Sequence, residues 1–275
     1  MESTTKRYKA NLNCSDSCLD LQDYDDYKYG CEFEFYINKD LDFKQTIEKI
    51  RKEIFKFSNV DILVNLVTLP LDLDKDNCIQ IKPDYSLEDN GVEISIPISS
   101  KQGVIYYLEN IFPIIEKYAY TNEDTGLHFH ISTAKKDGVN FNFYVYMLMC
   151  HDKGLLSSWK YREDYSHNVM DILFNNTKIT TRKIKSKKGT IWNLEKISSN
   201  HVEIKSIGGI NYHKKIEKIK MEFALYSDCF HQVYKDPKSC YIEKLIAEHK
   251  MLVSSVSAMK QKEFAKAVDD ARLIE

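Results

Sequence analysis

The sequence lacks the features that mark several common classes of protein. No run of apolar residues approaches the ~18 that a membrane-spanning helix requires. The first residues include no apolar segment of the kind that a secretory signal peptide carries. Neither G-x-G-x-x-G nor G-x-x-x-x-G-K occurs, which disfavours a dinucleotide-binding or P-loop enzyme. We therefore expect a cytoplasmic protein, in the host cytoplasm if the source is viral, that does not bind membranes.

The chain also lacks an excess of charge of either sign. Among 275 residues, 39 are Lys or Arg and 41 are Asp or Glu, so the net charge is -2. This balance gives no reason to expect a nucleic-acid partner. Seven cysteines provide no even-numbered framework of disulfides, which favours free thiols in a reducing compartment.

Hydrophobic residues make up 43% of the chain, enough for one substantial core. A polar arm is expected over residues 1–28, a single domain over 29–236, and a helix over 237–275 that covers the domain or binds a second subunit. Periodicity predicts strands near 29–37, 60–68, 78–82, 92–98, 125–131, 190–194 and 201–207, and helices near 42–58, 101–118, 140–159 and 214–234.

Two of the predicted strands carry paired chemical groups. Side chains two residues apart share a strand face, so Glu32 and Glu34 point away from the flanking phenylalanines, and His128 and His130 alternate around Phe129 in the same way. Carboxylates and imidazoles on a sheet can hold a divalent metal or contact nucleotide phosphates. The alternative is a pair of amphipathic strands whose polar faces meet water.

Two further strands each carry one acidic residue, Glu93 and Glu203, among apolar or β-branched neighbours. An unpaired charge in a core strand costs several kcal/mol, so these carboxylates need partners. A bound cation is the most economical partner.

The order of these segments resembles the amidoligase family of carboxylate-amine ligases, which is related to glutamate-cysteine ligase and glutamine synthetase. The matching segments run from about Gly30 to the helix after Tyr212: Glu32-x-Glu34, Asp84-x-Ser86 before the Glu93 strand, Gly126-Leu127-His128-x-His130, Arg162, and Asn193 ahead of Glu203-x-Lys205.

The resemblance implies an α+β fold with a mainly antiparallel sheet, helices packed on one face, and a glutamine-synthetase-like catalytic site. It also implies that ATP and magnesium, or manganese, activate a carboxylate as an acyl phosphate that an amine then attacks. By position, the metal residues are Glu32, Glu34, Glu93, His128 and Glu203. Contacts to nucleotide or substrate are implied for His128, His130, Asn193 and Lys205, and charge stabilisation at the transferred phosphoryl group for Lys205 and Arg162.

One departure affects the phosphate contact. The family's Glu-x-Arg is Glu203-Ile204-Lys205 here, and Lys is a flexible point charge whereas Arg grips phosphate through a planar fork. A non-catalytic binding or structural protein that retains the fold therefore stays open as an alternative. A metal-dependent hydrolase that uses His128 and His130 is a second alternative, although the carboxylate-rich set suits magnesium better than zinc.

Overall fold

The computed structural model describes residues 5–8, 27–66, 77–84, 86–133, 141–155, 159, 190–193, 200–235, 243–244 and 247–248. Within these ranges the fold is a mixed α/β structure in which nine strands form one sheet and four α-helices are described from end to end. In chain order the elements are β1 Thr5–Tyr8, β2 Tyr27–Ile37, α1 Phe43–Phe57, β3 Asp61–Asn65, β4 Cys78–Pro83, β5 Gly91–Ser95, α2 Lys101–Tyr118, β6 Ala119–Tyr120, β7 Gly126–Thr133, α3 Phe143–Asp152, β8 Trp192–Asn193, β9 His201–Gly208 and α4 Ile216–Lys235.

The sheet is mostly antiparallel, as the sequence predicts. Its strand order is β1-β3-β4-β5-β2-β7-β9-β8, with β6 paired to the end of β2. Among the described strands, β3 and β4 form the one parallel pair. The long strand β2 lies at the centre, between β5 and β7.

One face of the sheet is apolar and packs on the helices. Phe33 on β2 meets Phe112 of α2 with ring centroids 5.8 Å apart, and Phe129 on β7 lies 4.6 Å from Phe223 of α4. Asp42 caps the start of α1 and Ser100 that of α2, each accepting a backbone hydrogen bond from the first turn. Because side chains alternate along each strand, the polar residues between these aromatics lie on the opposite face.

Three predicted elements have different ends in the structure. The helix predicted to run towards Trp159 stops at Asp152, because Gly154 takes a φ of 72° just beyond the cap at Lys153. The strand predicted over 92–98 ends at Ser95, before Pro97. Residues Thr5–Tyr8, within the segment expected to be a polar arm, pair with β3 as an edge strand.

No helix among the described residues has the length and apolar content needed to cross a membrane. The four cysteines that the described ranges include are buried and form no disulfide: Cys31, Cys78, Cys150 and Cys229. Cys31 lies on the apolar side of β2 with 1% of its surface exposed, as the alternation predicts.

Candidate functional site

Four adjacent strands bring the predicted acidic and imidazole residues to the sheet face opposite the helices. On β2, Glu34 lies directly across from Glu93 of β5, and Glu32 lies across from His128 of β7. His130 is paired in turn with Glu203 of β9. The register of three strand pairs therefore gathers groups that are far apart in sequence.

Lys205 belongs to the same cluster because it lies two residues after Glu203 on β9 and shares its face. The register of β7 with β9 shifts between Leu127 and Phe129, so both Ser206 and Ile207 are buried on the helix side. Ser206 is held there by a 2.8 Å hydrogen bond between its Oγ and the hydroxyl of Tyr226. Lys205 lies before this irregular stretch, and its Nζ is 3.0 Å from Glu203 Oε1.

Asn193 on β8 also reaches this cluster. Its Nδ2 donates a 2.7 Å hydrogen bond to Glu203 Oε2, which leaves Glu203 Oε1 facing Lys205 and His128. Asn193 thus fixes the orientation of the carboxylate. The other predicted cation, Arg162, lies outside the described residues.

His128 occupies the centre of the carboxylates. Its Nδ1 is 3.2 Å from Glu32 Oε2, and its Nε2 is 3.3 Å from Glu34 Oε1. Burial acts to lower the pKa of His128, but the negative charge of Glu34 and the hydrogen bond with Glu32 raise it above its ordinary value. The surrounding carboxylates therefore favour the protonated, positively charged form of His128.

The carboxylates respond to these neighbours in different ways. Burial acts to raise the pKa of Glu32, but the neighbouring imidazoles of His128 and His130 outweigh it, so that pKa lies well below its ordinary value. For Glu93, burial together with the nearby charge of Glu32 raises the pKa. The neighbouring groups therefore favour the ionised form of Glu32, whereas burial and the charge of Glu32 oppose the ionisation of Glu93.

Two of the buried carboxylates are paired with lysine side chains of the protein itself. Lys82 Nζ lies 3.0 Å from Glu93 Oε1, just as Lys205 neutralises Glu203. Glu34 is engaged as well, since its Oε2 accepts a 2.6 Å hydrogen bond from the Gly126 backbone N–H. The sequence argument that these carboxylates need partners agrees with these contacts, although it did not foresee Lys82 as one of them.

A smaller set has the arrangement that a metal ion needs. One ligand atom each from Glu32, His130 and Glu203 lie within 4.8 Å of one another. The Nε2 of His130 is buried and makes no hydrogen bond of normal geometry, although it lies 3.3 Å from Glu32 Oε1. Two carboxylates and an imidazole nitrogen that needs a partner fit magnesium or manganese, so the residues are compatible with a divalent metal.

An open cleft of about 370 Å³ adjoins this set. Glu32 and His130 form part of its wall, and Gly30, opposite His130, adds no side chain to it. Its remaining lining includes residues that the sequence analysis did not select: Gln80, Lys82, Ser95, Ser132 and His201. The alternation of β9 provides the signal that could have found His201, since it lies two residues before Glu203 on the same strand face.

Comparisons with known proteins assign no family. No family model matches the chain, and no curated protein matches it. A solved structure of glutamine synthetase from Plasmodium falciparum is similar at a TM-score of 0.37 and 12% identity, over 75% of this chain. The chain spans about half (52%) of that protein's length, and a likeness this distant carries no argument about activity.

Proposed function

We propose that this protein is an ATP- and magnesium-dependent carboxylate-amine ligase of the amidoligase type, active in the cytoplasm. The reaction would form an amide bond through an acyl phosphate. Its substrates would be a small-molecule or peptide carboxylate and an amine. The C-terminal helix expected over 237–275, which would cover the domain or bind a second subunit, lies almost entirely outside the described residues and belongs to the same proposal.

The observation that carries the proposal is the triad of Glu32, His130 and Glu203 beside Lys205. Its donor atoms are close enough to share one divalent ion, and a cationic side chain lies 3.0 Å from one of them. Phosphoryl transfer needs this combination, because it depends on positioning and on neutralising the phosphate oxygens. The surrounding strands hold the groups rigidly, which favours preorganised electrostatic stabilisation.

The residues of the chain take distinct parts in this scheme. Glu32, His130 and Glu203 would hold a magnesium ion, which when bound neutralises phosphate charge. Lys205 would stabilise negative charge on the transferred phosphoryl group, while Asn193 keeps Glu203 oriented. No protein nucleophile is required, in agreement with the burial of Cys31 on the opposite face.

ADP release provides the test of the proposed reaction. With ATP, magnesium, pooled carboxylic acids and hydroxylamine as a small amine, wild-type protein is expected to release ADP and form a hydroxamate from the acyl phosphate. Omission of either the acids or magnesium should abolish both products. Glu109→Gln, which removes an exposed carboxylate on α2, should behave as wild type. ADP release that is the same with and without carboxylic acids would contradict ligation.

A metal-dependent hydrolase is the second candidate, and the place of His130 in the triad favours it. Zinc sites of hydrolases combine imidazole and carboxylate ligands, and the His201 ring lies next to His130, at 3.1 Å between their nitrogens. A hydrolase needs no nucleotide. Zinc-dependent cleavage of amide or ester substrates without ATP would favour it over the ligase.

A further inference from the structure

We infer that His201 is a positioning residue that fixes the tautomer of His130 for metal binding. This inference rests on the proposed metal site and assigns a role to a residue outside the ligand set. His201 is the first residue of β9, paired across from Ser132 on β7. The backbone register therefore places its ring beside His130.

The contact between the two rings is an edge-on hydrogen bond. His201 Nε2 lies 3.1 Å from His130 Nδ1, and the ring planes are inclined by 53° with centroids 5.2 Å apart. A neutral imidazole has one N–H and one lone pair. When His201 Nε2 accepts the bond, the proton of His130 stays on Nδ1 and the lone pair is on Nε2.

The lone pair on His130 Nε2 then faces the two carboxylates of the triad. His130 Nε2 belongs to the triad with Glu32 and Glu203, and it is buried without a hydrogen bond of normal geometry. A lone pair 3.3 Å from a carboxylate oxygen is unfavourable unless a proton or a metal ion lies between them. A metal ion satisfies the nitrogen and both carboxylates together, and metal-binding histidines almost always donate their second ring N–H to an acceptor.

Two substitutions at position 201 separate this role from simple packing. His201→Gln keeps an acceptor near the position of Nε2, whereas His201→Leu keeps volume and removes the acceptor. Loss of such an outer partner lowers metal affinity by about 10- to 100-fold, so we expect that loss in His201→Leu and near wild-type affinity in His201→Gln. Manganese binding is followed by the electron paramagnetic resonance signal of the free ion, with circular dichroism to confirm folding. Glu109→Gln, an exposed position on α2 away from the cleft, should leave the affinity unchanged.

A second readout reports the tautomer itself. With diamagnetic magnesium bound, long-range nitrogen-15 NMR of the imidazoles should show His130 protonated at Nδ1 in wild type and in His201→Gln, and a mixture of tautomers in His201→Leu; His130→Gln assigns the signal. Manganese affinity that is equal in wild type and His201→Leu would overturn the inference while the proposed metal site stands. Equal losses of manganese affinity in His201→Leu and His201→Gln would also overturn the inference. A wild-type protein that binds no manganese would overturn the metal site and this inference together.

Discussion

Glu203→Gln is expected to weaken manganese binding by at least about 100-fold and to abolish magnesium-dependent ADP release. The amide keeps the shape of the side chain but removes the negative charge of one of the two carboxylates in the triad. Loss of an outer partner of a metal ligand already costs about 10- to 100-fold, and loss of a ligand should cost more. Titration of manganese, followed by the signal of the free ion, measures the change.

Two other Glu→Gln variants serve as comparisons. Glu32→Gln should lose as much affinity as Glu203→Gln, because both supply triad oxygens. Glu93→Gln should lose less, since Lys82 and the Ser95 hydroxyl already engage that carboxylate. Equal affinity in wild type and a folded Glu203→Gln variant would remove the triad as the metal site.

Lys205→Ala is expected to lower the rate of ADP formation by about 10²- to 10³-fold, the usual cost of removing one preorganised charge-stabilising group. ATP binding should change much less, because charge on the transferred phosphoryl group matters most in the transition state. Lys205→Arg should keep or raise the rate, since Arg offers a bidentate contact to phosphate. Single-turnover rates and the Kd for ATP, measured separately, distinguish the two effects.

Lys101→Ala is the matched control for this series. Lys101 pairs with Asp228 at the surface, and exposed pairs contribute little, so its rate should equal that of wild type. An active wild type whose rate is unchanged in Lys205→Ala would show that Lys205 does not contact the phosphate, and Arg162 would be the next residue to test. A wild type without turnover, not restored by Lys205→Arg, would favour the non-catalytic alternative.

The polar face could be predicted from sequence because its basis is local. Alternation along a strand dictates that Glu32 and Glu34 share one face, as do His128 and His130, whatever the neighbouring strands are. Apolar periodicity likewise predicted α1 and α2 nearly to their ends.

The strand order and the partners of the acidic residues depend on pairings between distant segments, which periodicity does not reveal. Nothing in β4 by itself shows that Lys82 lies opposite Glu93, and the parallel pairing of β3 with β4 has no local signal. The register shift between β7 and β9 that buries both Ser206 and Ile207 has no signal in either strand alone. The end of α3 was an avoidable error, since Gly154 is a recognisable helix-terminating residue.

The dependence of ATP binding on magnesium tests the central claim most directly, because it requires no knowledge of the carboxylate or the amine. In isothermal titration calorimetry, wild-type protein should bind ATP with magnesium present and lose most of that affinity in EDTA, since the carboxylates repel the triphosphate without the metal. With magnesium present, the Glu203→Gln variant should bind ATP as weakly as wild type does in EDTA. Absence of ATP binding in both conditions, or equal affinity in both, would contradict the account.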